Sequence, residues 1–183
     1  AEKSMHNLHA LEIYMRISTI LIGYINQFQL QEKMALKINL YSLYYISNFS
    51  SWSESANYLN SISNILFSEI SSLETDRRFE LVNRLKKFIS KHLSDELSLN
   101  LLAEHFNYNS SYISHLFKQT AGIGISEYIT DLRLEKANEL LCHTNESISA
   151  IAEMTGFDTA QYFSYVYKKR NGITPSEYRS ISN

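Results

Sequence analysis

A seventeen-residue segment of this chain occurs twice, fifty residues apart. Eight of the seventeen positions in 112–128 are identical to their counterparts in 162–178. Upstream, SLNLLAE at 98–104 matches SISAIAE at 147–153, with the offset shortened to 49. A self-match of this length predicts one supersecondary unit used twice, and it constrains the fold more than any other feature.

Each copy has the pattern of a short helix, a tight turn and a longer helix. Gly156 stands where a left-handed backbone conformation is needed, and the first copy has Asn107 there, the next most tolerant residue type. Asn109 and Asp158 are the expected N-caps of the two longer helices. Together these features predict two helix-turn-helix units.

The segment between the copies predicts one continuous helix over about 125–142. A helix of that length spans roughly 25 Å, which could hold two recognition helices about one DNA turn apart. After the second copy, Thr174, Pro175 and Glu177 supply an N-cap, a proline at the first helical position and a capping-box glutamate. They predict a short final helix over about 175–181.

Composition agrees with an all-α protein. The 183 residues include five glycines and one proline, too few for the turns of a β-sandwich or barrel. The single cysteine, Cys142, excludes an internal disulfide and fits a reducing cytosol. The net charge of −2 divides into −3 for 1–76 and +1 for 77–183, where Lys168, Lys169 and Arg170 form a basic cluster.

The segment 1–76 predicts helices without a catalytic constellation. Apolar residues at spacings of three and four predict a long helix over 8–28 that is apolar on more than one side. Its most apolar stretch, 13–25, is shorter than the roughly 20 residues that span a bilayer. A second helix is expected over 31–47, and Ser53 is the expected N-cap of a third. So wide an apolar surface needs cover from its own chain or from a partner subunit, and we expect self-association through 1–76.

The second half of the chain, about 80–181, closely resembles the DNA-binding domain of the AraC/XylS family of bacterial transcription regulators. The resemblance rests on motif order and spacing, ending in GFD at 156–158, YFS at 162–164 and GITPSEYR at 172–179. Residues 1–76 resemble the helical linker that precedes this domain in response-regulator-type, YesN-like members. The implied fold is all-α, with two tandem helix-turn-helix subdomains joined by a long linker helix and preceded by a helical segment.

The resemblance also implies domain bounds and DNA-contacting residues. The linker, regulatory or dimerisation segment is 1–76, and the DNA-binding domain is 77–183, with helix-turn-helix units at about 97–121 and 146–170. Gln161 suits adenine and Ala160 suits a thymine methyl group. The implied base contacts are Ser111, Tyr112, Ser114, His115, Ala160, Gln161, Ser164 and Tyr165. The implied phosphate contacts are Ser110, Lys118, Thr159, Lys168, Lys169 and Arg170.

We therefore expect a sequence-specific transcription regulator, an activator in a two-component system, that reads two successive major grooves. The expected partners are double-stranded DNA, RNA polymerase and a second copy bound through 1–76, with no membrane. No enzyme activity, cofactor or metal site is expected, and the expected location is the cytoplasm, at the nucleoid. The alternative is a helical dimerisation or protein-interaction module of a signalling protein with little DNA affinity of its own.

Overall fold

The computed structural model describes residues 8–182, in which helices account for all regular secondary structure and no strand occurs. Contacts divide the chain into one compact unit that ends at Arg77 and a second that begins at Arg78, with the division inside a long helix. The helices are α1 (Leu8–Gln27), α2 (Gln31–Ala35), α3 (Trp52–Lys91), α4 (Leu99–Phe106), α5 (Ser110–Ala121), α6 (Ile125–His143), α7 (Ile148–Met154), α8 (Ala160–Asn171) and α9 (Pro175–Ser182). The all-α prediction is confirmed.

In the first unit, α1 buries one line of side chains and exposes another. The buried line is Tyr14, Ser18, Leu21 and Ile25, with intervals of four, three and four residues that keep it on one face. The Tyr14 hydroxyl donates a hydrogen bond to the carbonyl oxygen of Ser42, which fixes the helix against the following loop. The exposed line, Ile13, Ile17, Ile20 and Tyr24, has the same intervals.

The predicted helix over 31–47 is wrong. The chain leaves α2 after Ala35 and continues in two short 3₁₀ helices, Leu40–Leu43 and Ile46–Asn48. The Asn39 side chain accepts a hydrogen bond from the N–H of Tyr41, and such a local bond competes with a continuous helix.

The expected N-cap of α3 is also misplaced. The Ser51 hydroxyl, rather than that of Ser53, accepts the N–H of Glu54 at 3.2 Å. The helix therefore begins at Trp52, and it continues without a break to Lys91.

Helix α1 is longer than the apolar stretch recognised in the sequence. Its 20 residues have a mean hydropathy of 1.2, and it alone among the described helices is long and apolar enough to cross a membrane. Core helices of soluble proteins meet the same criterion, and α1 contributes four buried side chains to its own unit. The observation is therefore weak evidence for a membrane span.

The second unit contains two hydrophobic cores joined by α6. The first core combines the end of α3 with α4 and α5, and the second combines α7 and α8 with the C-terminal half of α6. Helix α6 supplies Ile125 and Ile129 to the first core, and Leu134, Ala137 and Leu141 to the second. Each predicted helix-turn-helix unit thus has its own core, and both rest on one helix.

The turn chemistry and the final helix agree with the sequence. Asn107 and Gly156 have φ angles of 57° and 80°, so both turns use the left-handed conformation that was predicted. At the start of α9, the Thr174 hydroxyl accepts the N–H of Glu177, and the Glu177 carboxylate accepts the N–H of Thr174 at 2.7 Å. The predicted capping box is confirmed.

Candidate nucleic-acid interface

Helices α5 and α8 are the second helices of the two units and share one framework. Each has 12 residues, and each ends at a glycine, Gly122 or Gly172, with a φ angle of 81°. Because the repeat offset is fifty, every position of α5 has a counterpart on α8. Equivalent positions of α5 and α8 can therefore be compared directly, and they differ only in which side chain each presents.

The N-terminal caps differ from expectation in one of the two helices. The Asn109 side chain accepts the N–H of Ser111 at 2.8 Å, which confirms the predicted cap of α5. The predicted cap of α8, Asp158, is wrong, because the Thr159 hydroxyl accepts the N–H of Tyr162 at 3.1 Å. Thr159 is thus both a capping residue and a candidate phosphate contact.

Helix α5 buries one side and presents the other to solvent. Ile113, Leu116 and Phe117 lie in the first core. Of the predicted DNA contacts on this helix, Ser111, Tyr112, His115 and Lys118 are exposed, and Ser110 and Ser114 are partly buried. The exposed candidates occupy the surface that the core leaves free.

Two of the predicted DNA-contacting residues on α5 already contact neighbouring side chains. The Ser110 hydroxyl donates to the Asn100 side-chain oxygen at 2.9 Å, which ties the start of α5 to α4. The Tyr112 ring is stacked on Tyr108, with their ring centroids 5.5 Å apart. Both contacts restrict these side chains before any ligand is present.

Helix α8 presents a more aromatic surface. Phe163 and Tyr167 are fully buried and pack in the second core. Among the predicted contacts, Thr159, Gln161, Tyr165, Lys168, Lys169 and Arg170 are exposed, and Ala160 and Ser164 are partly buried.

Tyr162 is a candidate that the apolar pattern concealed. Its spacing from Val166 is that of an apolar stripe on α8, yet Tyr162 is 56% exposed. The signal that could have found it is the repeat itself, because its counterpart on α5 is Tyr112, an expected base contact. Tyr162 and Tyr112 occupy the third position of their helices.

Arg170 differs from the other basic candidates because it already has anionic partners. Its guanidinium donates to both carboxylate oxygens of Asp131, at 2.8 and 2.9 Å, and to Glu127 at 3.0 Å. The hydrogen bond to Glu127 has the largest effect on the pKa of Arg170 and the hydrogen bond to Asp131 the next largest, and both raise it above its ordinary value. A phosphate contact by Arg170 stays a prediction, and it would require exchange of these partners.

Comparisons with known proteins agree with this geometry. A family description of a helix-turn-helix domain matches residues 102–181. The regulatory protein PocR of Salmonella typhimurium is 39% identical over 97 residues, covering 53% of this chain and 32% of PocR. The arabinose operon regulatory protein of Escherichia coli K12 is 32% identical over 126 residues, covering 67% of this chain and 43% of that protein.

A solved structure extends the likeness to the fold. The C-terminal domain of AraT, a response regulator from Geobacillus stearothermophilus, is 41% identical with a TM-score of 0.54, and the match covers 55% of this chain and 84% of that domain. This chain spans less than half the length of the two curated relatives named above. The tandem units, their spacing and these matches show that the chain belongs to the AraC/XylS family of helix-turn-helix proteins.

Proposed function

We propose that this chain is the DNA-reading part of a transcription regulator, an activator in a two-component system. The observation that carries the proposal is the pair of equivalent helices, α5 and α8, each with a polar surface exposed opposite its own core. Both cores rest on α6, so the two surfaces belong to one compact unit. Such a unit would place α5 and α8 in two successive major grooves.

In this proposal the exposed polar side chains read base edges, and the lysines at the C-terminal ends of the helices bind phosphates. Gln161 can form a bidentate hydrogen-bonded pair with adenine. Lys118, Lys168 and Lys169 fix the register on the backbone without reading sequence. Tyr162 joins the proposed base-contacting set because it shares its exposure and helix position with Tyr112.

The test is a selection of duplexes from a random library with the full 183-residue chain, followed by titrations of variants. Gln161→Ala should reduce discrimination at one base pair by about 5- to 150-fold, the equivalent of about 1–3 kcal/mol. Lys169→Ala should weaken binding to all sequences alike and lower the slope of log K against log salt by about 0.9.

Lys136→Ala is the matched control for the charge change. Lys136 lies on α6 in an ion pair with Glu139 and is not among the proposed phosphate contacts, so its removal should leave the slope unchanged. Binding without any sequence preference, or a Gln161→Ala variant with unchanged discrimination, would contradict the readout. That result would favour the alternative of a helical interaction module.

We also propose that two copies associate through the first unit. The support is the exposed line on α1, where Ile13 and Ile20 are each 58% exposed and Tyr24 is 42% exposed. Their spacing is that of an a/d seam, the pattern by which two helices pack. RNA polymerase as a partner and a cytoplasmic location follow from the proposed role and from the family.

A further inference from the structure

Arg133 lies on α6 at the point where that helix passes from one core to the other. Its neighbour Leu132 packs against the first core, and Leu134 is buried in the second. The Arg133 guanidinium donates from Nε to the carbonyl oxygen of Leu93 at 3.0 Å, and from Nη2 to that of Asp95 at 2.9 Å. Both carbonyls belong to the loop between α3 and α4, and Leu93 packs against the first core, so these bonds tie Arg133 to the core of the first helix-turn-helix unit.

The same guanidinium contacts the second unit. Its central carbon lies 5.8 Å from the ring centroid of Phe157, a cation–π distance. Phe157 is 7% exposed and lies in the turn between α7 and α8, and its ring packs against Phe163 with centroids 5.1 Å apart. One side chain therefore bonds the backbone of the first unit and covers a core residue of the second.

Gly156 brings the backbones of the two units together beside Arg133. A Cβ atom at Gly156 would lie 2.5 Å from the carbonyl oxygen of Leu93 and 2.8 Å from Nη2 of Arg133. The left-handed turn does not itself demand glycine, because Asn107 adopts φ 57° at the equivalent turn. The missing side chain at Gly156 is therefore required by the approach to Leu93.

We propose that Arg133 is a positioning residue that, with Gly156 and Phe157, locks the two helix-turn-helix units at one separation and thereby sets the half-site spacing that the chain accepts. The inference rests on the proposed function. Moving one half-site by a single base pair shifts it by about 3.4 Å and rotates it by about 34° around the duplex axis. Two helix-turn-helix units held at a fixed separation cannot move to contact the displaced half-site, whereas two loosely connected units can.

The test measures affinity of the full chain for duplexes whose half-sites are moved apart by zero, one or two base pairs. The unaltered chain should lose affinity by about tenfold or more at each wrong spacing, the equivalent of about 1.4 kcal/mol. Arg133→Met keeps the length of the side chain but removes its donors. In that variant the penalty for a wrong spacing should fall to about twofold, while affinity for a single half-site stays unchanged.

The salt slope separates positioning from a direct DNA contact. Because Arg133 is assigned no phosphate, Arg133→Met should keep the slope of log K against log salt, whereas loss of a phosphate contact would lower it by about 0.9. A lowered slope, or a spacing penalty that survives in Arg133→Met, would overturn the proposal. If the unaltered chain binds with sequence selectivity but has equal affinity for all spacings, that result would overturn the proposal without any variant.

The repeat offers a matched pair of turn variants. Gly156→Asn installs the residue that the first turn already tolerates, so its main cost is the clash with Leu93. It should flatten the spacing preference as Arg133→Met does. Asn107→Gly makes the reciprocal change outside the junction, by which we mean Arg133, Gly156 and Phe157. This variant should keep the spacing preference. If both variants behave alike, the junction is not the cause.

A measurement without DNA distinguishes failure of this inference from failure of the proposed function. Spin labels at the exposed positions Glu104 on α4 and Ser149 on α7, in a Cys142→Ser background, report the separation of the units. The distance distribution should be narrow in the otherwise unaltered chain and broader when Arg133→Met is added. An unchanged distribution would reject the junction, whereas absence of sequence-selective binding would reject the proposed function alone.

Discussion

At the scale of single residues, Asp158 and Thr159 show what a sequence pattern can and cannot decide. Both are good N-cap types, and they are adjacent, so the sequence alone favours neither. The structure chooses Thr159, whose hydroxyl receives the N–H of Tyr162. Asn107 and Gly156 left no such choice, because neither has an adjacent residue of equal tolerance for the left-handed conformation.

The cap assignment predicts unequal effects of two neighbouring substitutions. Thr159→Ala leaves the N–H of Tyr162 without its partner and should lower the free energy of unfolding by about 0.5–2 kcal/mol. Asp158→Ala is the matched control: this exposed carboxylate caps no backbone N–H and loses only its attraction to Arg133, so the change should be no more than about 0.5 kcal/mol. Urea unfolding followed by circular dichroism measures both. A larger effect at Asp158 would restore the cap expected from the sequence.

At the scale of elements, the two recognition helices were predictable because their signals are local and occur twice. The caps, the left-handed turns and the terminal glycines lie within a few residues of the helices that they define. The partners of Arg170 and of Gly156 were not predictable. Arg170 meets Asp131 from 39 positions away, and Gly156 approaches Leu93 across four intervening helices. Periodicity carries no information on such contacts.

Helix α2 and the residues directly after it are tied to α3 by two ion pairs whose strength depends on pH. Glu69 on α3 is buried and accepts hydrogen bonds from Lys33 and Lys37, and these bonds lower its pKa below the ordinary 4.5. A carboxylate with a lowered pKa in the folded state stabilises that state above its unfolded pKa. This contribution is lost as the pH falls below 4.5 and through the lowered folded-state pKa.

Glu69→Gln should therefore lower the melting temperature at pH 7 and have a smaller effect at about pH 3, because below 4.5 the unfolded carboxyl takes up a proton and the stabilising contribution of the native charge declines. Glu139→Gln is the matched control, because Glu139 is 62% exposed in an i, i+3 pair with Lys136. Exposed pairs of that kind contribute little, so its melting temperature should stay close to that of the unaltered chain at both values. Equal losses at pH 7 and pH 3 in Glu69→Gln would contradict the ionic role.

At the scale of the whole molecule, the positive net charge lies in the part of the chain that the proposed function assigns to DNA binding. The net charge of −2 combines −3 in 1–76 with +1 in 77–183, so electrostatic attraction to DNA is confined to the second part and is modest there. Affinity in the proposed function therefore depends on engaging several contacts together. The lock at Arg133 would couple two half-sites within one copy, and association through α1 would couple two copies, each by raising the effective concentration of the second contact.

Association through α1 makes a prediction about mass. The unaltered chain, of 21.2 kDa, should sediment at twice that mass at micromolar concentration. Ile13→Gln combined with Ile20→Gln removes two exposed apolar side chains, each contributing about 1.5–3 kcal/mol if buried, so the dimer should weaken by at least about 100-fold. Ile181→Gln on α9 is the matched control, since Ile181 is 76% exposed in the other unit and its replacement should leave the dimer intact.

The same experiment separates a second copy from a lipid surface as the occupant of the exposed line. If α1 packs against another α1, the unaltered chain stays in solution as a dimer when lipid vesicles are added, and only the double variant changes its mass. If the line instead enters a bilayer, the chain should float with the vesicles, and sedimentation without lipid should give a monomer. A monomer at every concentration would reject self-association through α1. It would leave the coupling of half-sites to the tandem units alone.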